Sequence, residues 1–417
     1  MSSIPEGWRI YYLDNFIEKV LDFRGRTPKK LGMEWGNGNI RALSANNVRM
    51  GWVDFQKECY VGSEELYDKW MTKGQLECGD ILLTMEAPLG NVAQVPDNQK
   101  YILSQRVIAL KTKPTIIDND FLKQAMTFEV FQRMLIENST GSTATGIQQK
   151  RLIQLELLLP PLSEQKKIAE ILSSVDRSIE ATQKLIAKLS DLKKALMQEL
   201  FTKGIGHTRF KDSPLGRIPE EWEVVSGQEI CHSISVGIVI KPTQYYDIKG
   251  TIPLLRSANV SENGIINSNF VYTNSAYNQT LQKSILKYGD VVTVRTGYPG
   301  TSCVIPPDYA GSNCIDLIIS RPNNDVVSSY YYALWINSDI GKGQVFAKQG
   351  GLAQQHFNVG ELKELKILLP SLDEQNDITS ILLAEDKKIE KSKSRLEKLK
   401  DLKKGLMQDL LTGKVRV

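Results

Sequence analysis

Two stretches of the chain carry apolar residues at alternating spacings of four and three, one beginning after Leu159-Pro160-Pro161 and the other after Leu369-Pro370. This pattern is typical of a helix that buries one narrow stripe against a partner helix. At 1.5 Å per residue, about 40 residues would form a helix of about 60 Å. The predicted seam positions are Ile168, Leu172, Val175, Ile179, Ile186, Leu189 and Leu196 in the first stretch, and Ile378, Leu382, Ile389, Leu396, Leu399 and Leu406 in the second.

Polar residues mark both the interruptions and the starts of these predicted helices. The seam is broken at Thr182 and Lys193 in the first stretch and at Ser392 and Lys403 in the second. Ser163 and Asp373 come two and three residues after the prolines, and we expect them to be the N-caps. The lysine-rich segment 387–404 carries nine basic and three acidic residues, but it lies within the predicted helical seam, so we expect a solvated coiled-coil face more than a DNA-binding run.

Between the predicted helices, short alternating stretches separated by Gly, Pro and Asn predict strands and turns. A Gly-Asp pair precedes an apolar run at Ile81 and again at Val291, so we predict that strands start there. Helical segments are predicted around residues 118–137 and 328–339. Each half therefore combines strands and helices in a domain of ordinary size.

The second half of the chain repeats the first. Glu164-Gln165 and Asp191-Leu192-Lys193-Lys194 return as Glu374-Gln375 and Asp401-Leu402-Lys403-Lys404, with an offset of 210 residues in both cases (164 to 374, 191 to 401). So long a period indicates a duplicated domain with its helix, not a solenoid. The expected fold class is α+β: two tandem, similar mixed α/β domains, each followed by a long α-helix, with the helices paired as an antiparallel coiled coil of pseudo-two-fold symmetry. The predicted boundaries are 1–157, 158–203 (helix), 204–217 (a turn-rich connector), 218–367 and 368–417 (helix).

Composition narrows the class of protein without deciding it. The chain of 417 residues is 41% hydrophobic and 24% charged, and its net charge of +4 permits nucleic-acid binding without arguing for it. The five cysteines form no CxxC pair, which predicts a reduced, cytoplasmic protein without structural metal. The chain contains no apolar run long enough to predict a membrane span. No phosphate-binding loop, HExxH or methyltransferase tetrad is present, so we expect no catalytic activity.

The residues around the helix starts carry a family resemblance. The phrase Leu159-Pro160-Pro161-Leu162-Ser163-Glu164-Gln165, its repeat at 369–375, Gly25-Arg26-Thr27-Pro28 and the segment 76–81 resemble the specificity subunits of type I restriction–modification enzymes. The resemblance implies two target-recognition domains, each reading one half of a split double-stranded DNA sequence, spaced by the helices. It also implies docking of two methyltransferase subunits and, in the full complex, of restriction and motor subunits. S-adenosylmethionine, ATP and magnesium would then bind only in those partners, with no cofactor in this chain.

DNA contacts need particular side chains. Arg and Lys suit guanine, Asn and Gln suit adenine, and basic or hydroxyl side chains suit phosphates. The candidates in the first domain are Arg24, Arg26, Thr27, Lys29, Lys30, Arg41, Ser44, Asn46, Arg49 and Gln148. Those in the second are Lys241, Gln244, Tyr245, Arg256, Ser257, Arg295, Tyr298 and Gln354. For each cluster the alternative is an ordinary solvated turn or loop.

Equivalent positions in the two halves refine these candidates. Asn47 and Asn259 are identical, which favours a structural turn role, whereas Ser44 and Arg256 are equivalent but different, as expected for domains that read different sequences. The second domain departs from the family pattern, with Gly237-Ile238-Val239-Ile240-Lys241-Pro242 in place of Gly25-Arg26-Thr27-Pro28. A rival interpretation is a duplicated coiled-coil scaffold that binds proteins. A fused methyltransferase–specificity chain is disfavoured because no catalytic region is present.

Overall fold

The computed structural model describes residues 4–141, 145–347 and 356–417. Its contacts divide the chain into two compact units. Unit 1 comprises Met1–Gln183 and Arg395–Val417, and unit 2 comprises Lys184–Ser394. Since the long helices cover Leu162–Lys203 and Leu372–Leu410, each unit contains a segment of both.

The elements of unit 1 begin with strand β1 (Arg9–Tyr12), helix α1 (Leu13–Phe16) and strands β2 (Ile17–Asp22), β3 (Ile40–Leu43), β4 (Val48–Arg49), β5 (Trp52–Val53) and β6 (Val61–Gly62). They continue with α2 (Glu64–Trp70), β7 (Ile81–Met85), β8 (Leu89–Gln94), β9 (Tyr101–Leu103), β10 (Val107–Thr112), α3 (Asn119–Thr127), α4 (Glu129–Glu137), α5 (Gln149–Leu152) and β11 (Glu156–Leu159). The long helix α6 (Leu162–Lys203) follows. A 3-10 turn, Pro28–Leu31, precedes β3.

Unit 2 begins with the hairpin β12 (Phe210–Ser213) and β13 (Gly216–Pro219), then β14 (Glu223–Ser226), α7 (Gly227–Ile230), β15 (Cys231–Val236), β16 (Ile252–Leu255), β17 (Val260–Ser261), β18 (Gly264–Ile265) and β19 (Val271–Thr273). It continues with α8 (Ser275–Thr280), β20 (Val291–Val294), β21 (Ser302–Val304), β22 (Asn313–Cys314), β23 (Leu317–Pro322), α9 (Ser329–Asn337), α10 (Asp339–Ala347), α11 (Val359–Glu364), β24 (Lys366–Leu369) and the long helix α12 (Leu372–Leu410). Here too a 3-10 turn, Pro242–Tyr245, precedes the three-stranded sheet.

The two units share one strand topology. Unit 1 has an antiparallel four-stranded sheet, β2-β10-β7-β8, and a three-stranded sheet, β6-β3-β9. Unit 2 has the counterparts β15-β23-β20-β21 and β19-β16-β22. In each three-stranded sheet one pair is parallel, β3 with β9 and β16 with β22. The predicted fold class, a mixed α/β domain made twice and followed each time by a long helix, is confirmed.

The central strands of the four-stranded sheets are covered on both faces. Ile81 and Leu83 of β7 pack in one core cluster with α3, α4 and α6, whereas Leu82 packs in the other, beside Trp70. Burial on both faces favours a nearly continuous apolar strand, and β7 is buried throughout with Thr84 as its one polar residue. In unit 2, Val291 and Val292 face different clusters in the same way.

The Gly-Asp pairs start these central strands, as predicted. The backbone N–H of Gly79 donates to the Val95 carbonyl (2.9 Å), and Asp80 Oδ2 accepts from the Glu77 N–H (2.9 Å). Asp290 accepts from the Lys287 N–H at 2.8 Å. Burial raises the pKa of both aspartates, although these backbone hydrogen bonds oppose it. The repeated motif is therefore structural.

The helical segment predicted around 118–137 is divided into α3 and α4, whereas the segment predicted around 328–339 contains α9 and ends where α10 begins. The breaks fall at Phe128, between α3 and α4, and at Ser338, between α9 and α10, where the backbone is extended. Asp118 caps α3, since its side chain accepts from the Phe121 N–H (3.0 Å).

The predicted N-caps of the long helices were wrong. Ser163 and Asp373 lie inside the first turns, because α6 begins at Leu162 and α12 at Leu372. The first carbonyls to accept helical bonds are those of Pro161, from Gln165 (3.0 Å), and Ser371, from Gln375 (2.9 Å). At α12 the capping hydroxyl is that of Ser371, which accepts from the Glu374 N–H at 3.3 Å.

The repeated glutamine fastens each long helix to its unit. Gln165 Oε1 accepts from the Asp118 N–H (2.9 Å), and its Nε2 donates to the carbonyls of Ile116 (3.0 Å) and Pro160 (2.9 Å). Gln375 makes the same three bonds with Ser328 (2.8 Å), Val326 (3.1 Å) and Pro370 (3.0 Å). Both glutamines are buried, so losing either one would leave three backbone groups without partners.

The repeated glutamate binds a tryptophan and, in addition, an arginine in unit 1 or a histidine and a backbone N–H in unit 2. Glu164 accepts from Trp8 Nε1 (3.2 Å) and from Arg416 Nε (2.7 Å). Burial opposes its ionisation, but the hydrogen bonds from Arg416 outweigh it, and the pKa of Glu164 lies below its usual value. Glu374 accepts from Trp222 Nε1 (2.9 Å) and from the Ile205 N–H (2.9 Å), with His207 Nε2 also at 2.9 Å.

The long helices run antiparallel within each unit. In unit 1, Glu164 near the start of α6 binds Arg416 beyond the end of α12, and further along α6 Asp176 pairs with Lys403 (2.7 Å). In unit 2, Lys193 pairs with Asp386 at 2.5 Å, and Leu200 packs in one cluster with Ile378. The lysines that interrupt the predicted seams thus each pair with an aspartate of the opposite helix.

The seam positions are the less exposed positions of both helices. Every residue predicted for the seam is buried or half-buried. Glu385 occupies the place of Val175; it is 7% exposed, and its Oε2 has no hydrogen-bond partner in the described part of the chain. The segment predicted as a turn-rich connector contains most of the β12–β13 hairpin, which the turn signals alone did not indicate. The predicted domain boundaries stay predictions.

Candidate nucleic-acid interface

The strand pairing brings several candidate residues to one edge of each four-stranded sheet. In unit 1, Asp22 pairs with Ile108 and Thr84 with Val107, so the ends of β2 and β7 lie beside the start of β10. In unit 2, Val236 pairs with Ile318 and Val294 with Leu317, which places the ends of β15 and β20 beside the start of β23. We call this end of each sheet the loop edge of the unit; it is formed by the residues that follow β2 and β7 and precede β10 in unit 1, and by those that follow β15 and β20 and precede β23 in unit 2.

At the loop edge of unit 1, Arg24 and Gln148 line one open cavity of about 380 Å³ with Glu86. Arg24 donates to both carboxylate oxygens of Asp22, the shortest contact being 2.7 Å. Burial opposes ionisation of Asp22, but these hydrogen bonds outweigh it and keep its pKa below the usual value. Gln148 is exposed. Arg24 therefore needs to leave Asp22, or share its guanidinium, before it can bind another anion.

Arg26 and its neighbours divide into internal and exposed groups. Arg26 donates to the Trp70 carbonyl and to Thr72 Oγ1 (2.9 Å), and its guanidinium lies 5.2 Å from the Phe23 ring. Thr27 caps the 3-10 turn, and Lys30 Nζ donates to the Gly25 carbonyl at 2.6 Å. Lys29 and Lys30 are exposed.

The cluster around β3 and β4 is largely a turn. The side-chain oxygen of Asn47 accepts from the Ser44 N–H (3.2 Å) and hydroxyl (3.0 Å), and that of Asn259 accepts from the Arg256 N–H (3.1 Å). The structural role predicted for these asparagines is confirmed. Arg49 lies 3.7 Å from Asp54.

Two candidates of this cluster keep exposed polar groups. Asn46 is exposed, and Arg41 is exposed with its guanidinium 4.8 Å from the Phe55 ring. These two residues retain side-chain donors for an external ligand.

At the loop edge of unit 2, Arg295 is held by internal acceptors. Its Nη1 lies 2.5 Å from Asp316 Oδ1, its Nη2 lies 3.0 Å from Asn358 Oδ1, and its side chain is 18% exposed. Tyr298, three residues later, is 84% exposed. The tyrosine can meet a ligand without any rearrangement, whereas the arginine has three intramolecular contacts to give up.

The remaining candidates of unit 2 lie around its two 3-10 turns. Lys241 and Gln244 are exposed, and the ring of Tyr245 packs edge-on to Tyr277. Arg256 donates to the Asn269 carbonyl at 2.5 Å, and Ser257 is half-buried. Gln354 lies outside the described residues.

Sequence reasoning missed the acceptors that hold these arginines and one further arginine. Arg106 lies at the loop edge of unit 1, 3.8 Å from Glu86. Asp22 stands two residues before Arg24, a spacing visible in the sequence. Asp316 and Asn358 are distant from Arg295 in sequence, so only the folded chain reveals them.

The described residues include no helix with the length and apolar character of a membrane span.

The chain resembles known proteins over its whole length. The family described as "Type I restriction modification DNA specificity domain" matches residues 5–191 and again 219–401. The chain is 30% identical to the putative type I restriction enzyme MjaX specificity subunit of Methanocaldococcus jannaschii, over all of this chain and 96% of that protein. It is 27% identical to the MjaVIII specificity subunit of the same organism, over 99% of this chain and 94% of that one.

Solved structures share the fold. A crystal structure of a type I restriction–modification system S subunit from M. genitalium matches with a TM-score of 0.60 and 16% identity, covering 98% of this chain and 97% of that one. A second structure, from work on assembly of the type I R-M system, has a TM-score of 0.58 and 17% identity, with complete coverage of both chains. With two specificity domains in tandem and full-length relatives of this kind, the chain belongs to the specificity subunits of type I restriction–modification systems.

Proposed function

We propose that each unit reads one half of a two-part double-stranded DNA target. The supporting observation is that equivalent positions, which follow equivalent strands, carry different side chains in the two units. The turn that holds Ser44 through Asn47 holds Arg256 through Asn259, and the loop after the central strand carries Pro88 in unit 1 and Tyr298 in unit 2. Positions with the same support but different chemistry are suited to reading different sequences.

The exposed candidates are the first choice for DNA contact. Asn46 and Gln148 in unit 1 and Gln244 in unit 2 carry amides that pair with adenine, and Lys29, Lys30 and Lys241 can reach phosphates or guanine. Arg24, Arg26 and Arg295 act first on the protein itself, by fixing the loops on which the exposed residues stand. Their substitution therefore changes loop shape as well as charge.

The antiparallel helices hold the partners in this proposal. Two methyltransferase subunits bind this chain, and restriction and motor subunits join through them. S-adenosylmethionine, ATP and magnesium bind in those partners, and this chain recognises DNA without catalysing a reaction. Helix length sets the number of unread base pairs in the target, since each residue adds 1.5 Å. Inserting four residues into both helices adds about 6 Å and lengthens the spacer by about two base pairs.

The test starts from the target, obtained by mapping methylated sites in DNA exposed to the complete enzyme. The full chain with its methyltransferase is then titrated with that duplex, and with duplexes scrambled in one half, at several salt concentrations. Steep salt dependence marks phosphate contacts. Binding that does not distinguish the target from the duplexes scrambled in either half overturns the proposal and favours a protein-binding scaffold.

A pair of tyrosines provides matched variants. Tyr298 (84% exposed) follows β20 at the loop edge, and Tyr288 (64% exposed) precedes β20 at the opposite end. Tyr298→Ala should weaken binding to one half-site by about tenfold, as expected for loss of one aromatic contact with DNA. Tyr288→Ala should leave the affinity unchanged. Equal effects from both variants would remove Tyr298 from the interface.

A further inference from the structure

Unit 2 exposes two aliphatic residues at its loop edge, where unit 1 has polar and cationic residues. Val239 is 47% exposed and Ile240 is 75% exposed. They precede the 3-10 turn Pro242–Tyr245, just as Gly25 and Arg26 precede the turn Pro28–Leu31. Exposed neighbouring aliphatic side chains on a recognition loop call for a contact that removes them from water.

The segment before this pair is fastened to the sheet. Gly237 N–H donates to the Leu317 carbonyl (2.8 Å), Ile238 N–H to the Cys314 carbonyl (2.8 Å), and Asp316 N–H to the Ile238 carbonyl (3.1 Å). A Cβ at Gly237 would lie 2.5 Å from the Cys314 carbonyl oxygen, so this close approach requires glycine. Ile238 itself is buried in a small cluster with Leu254 and Ile315.

The segment after the pair is also fixed. Lys241 adopts a left-handed conformation (φ 42°), and its carbonyl accepts from the Gln244 N–H at 3.1 Å. Tyr245 of the following turn packs against the same small cluster as Ile238. With both flanks held, Val239 and Ile240 form a short aliphatic tip, which can meet a ligand with little loss of conformational freedom.

The charges around the tip narrow the choice of ligand. Arg295, the guanidinium at this edge, is paired with Asp316, whereas Lys241 beside the tip is exposed. An aliphatic tip next to an exposed cation is complementary to a groove in which apolar groups lie between negatively charged phosphates. In duplex DNA the 5-methyl group of thymine is the apolar group presented in the major groove.

We infer that Ile240, assisted by Val239, reads thymine methyl groups in the half-site of unit 2. This inference rests on the proposed function and adds to it a chemical class of base and the residue that selects it. The corresponding position of unit 1, Arg26, is polar, and its guanidinium is bound internally. Methyl reading by this loop is therefore a property of the second half-site alone.

The experiment combines a protein substitution with the removal of the methyl group from DNA. The full chain with its methyltransferase is titrated with the mapped target duplex, and with duplexes in which uracil replaces thymine in one half at a time. Uracil keeps the base pairing and lacks only the methyl group. For the wild-type chain, replacement in one half should weaken binding about fourfold for each methyl that is lost from the contact.

In Ile240→Ala the penalty for uracil in that half should fall to less than twofold, and the penalty in the other half should be unchanged. Ile248→Ala is the matched control. Ile248 is fully exposed and comes before the start of β16, whereas the tip lies near the other end of that strand, where Ile238 bridges to Ile315. This control should bind thymine and uracil duplexes as the wild-type chain does. Ile240 is on the surface, so melting temperatures should confirm that both variants fold.

Several outcomes would overturn the inference while leaving the proposed function intact. One is a mapped target in which one half contains no thymine, if Ile240→Ala nevertheless weakens recognition of that half. Another is wild-type binding that depends on both halves but tolerates uracil in each. A third is an Ile240→Ala loss equal on thymine and uracil duplexes, which would indicate insertion of the side chain between bases. If the wild-type complex ignores the sequence of both halves, the proposed function itself fails.

Discussion

Units 1 and 2 are similar where they hold the long helices and different where they offer side chains to a ligand. Gln165 and Gln375 make the same three hydrogen bonds in both units. The loop edges instead carry the pairs Arg24–Asp22 in one unit and Arg295–Asp316 in the other, at different positions of the sheet. Identical anchors with different loops indicate that the scaffold and the proposed recognition surface can change independently.

The largest effect should come from removing an anchor. Gln375→Ala leaves the Ser328 N–H and two carbonyls without their partners, and should destabilise unit 2 by about 3 kcal/mol. Hydrogen exchange at amides of the central strands β20 and β23, which keep their own partners, measures this loss of stability. Gln165→Ala should cost as much in unit 1, measured at amides of β7 and β10.

Asn376→Ala is the control for the anchor, because Asn376 is the next residue and is exposed. It should change stability by less than about 0.5 kcal/mol. Unequal costs for Gln165→Ala and Gln375→Ala would show that the two anchors are similar in geometry and different in energy.

A smaller effect should come from the ion pairs in the helix seam. Lys193 and Asp386 are 13% and 19% exposed, whereas Lys403 and Asp176 are 22% and 35% exposed. Asp386→Asn leaves the less exposed ammonium group without its counter-charge and should cost about 2 kcal/mol. Asp176→Asn should cost about 1 kcal/mol, since water screens its partner better.

A double substitution distinguishes charge pairing from packing. Lys193→Met with Asp386→Leu removes both charges from unit 2 and should recover most of the stability lost in Asp386→Asn. Hydrogen exchange in the surrounding turns of α6 and α12 reports the change. A larger loss for Asp176→Asn than for Asp386→Asn would contradict the ranking by exposure.

These anchors and pairs show what the sequence could predict. The heptad spacing identified the seam, because helical periodicity is local and repeats over many residues. The repeat singled out Glu164-Gln165 but did not predict what these side chains bind. Their partners Asp118, Trp8 and Arg416 are distant in sequence. The N-caps were misplaced because Ser371, close by and equally suited, caps α12 instead.

The candidate interface was less predictable for a related reason. Residue type predicts which side chains can bind DNA, but their availability depends on neighbours that folding supplies. From the sequence, Arg295 and Tyr298 were equally good candidates. In the folded chain the guanidinium of Arg295 is hydrogen-bonded to Asp316 and Asn358, whereas Tyr298 is exposed. Asn47 and Asn259 were assigned correctly because identity across the repeat separates structural positions from variable ones.

The smallest effect should be a difference in acid stability at the glutamate of unit 1. Because hydrogen bonds from Arg416 lower the pKa of Glu164 below its usual value of 4.5, its ionised form contributes stability above that pH. This contribution is lost as pH falls through the lowered folded-state value. Between about pH 5 and 3, the melting temperature of unit 1 should therefore fall more steeply in the wild-type chain than in Arg416→Met.

The C-terminal segment offers a matched control for this pH dependence. Lys414 pairs with Asp409 at 2.9 Å, with the lysine side chain 72% exposed, so Lys414→Met should retain the wild-type slope. Glu374, the counterpart in unit 2, contacts His207, and no arginine of the described residues pairs with it. A parallel loss of stability in wild type and Arg416→Met would mean that the carboxylate of Glu164 is held by Trp8 alone. The difference between the two glutamate sites would then lie in their geometry and not in their charge.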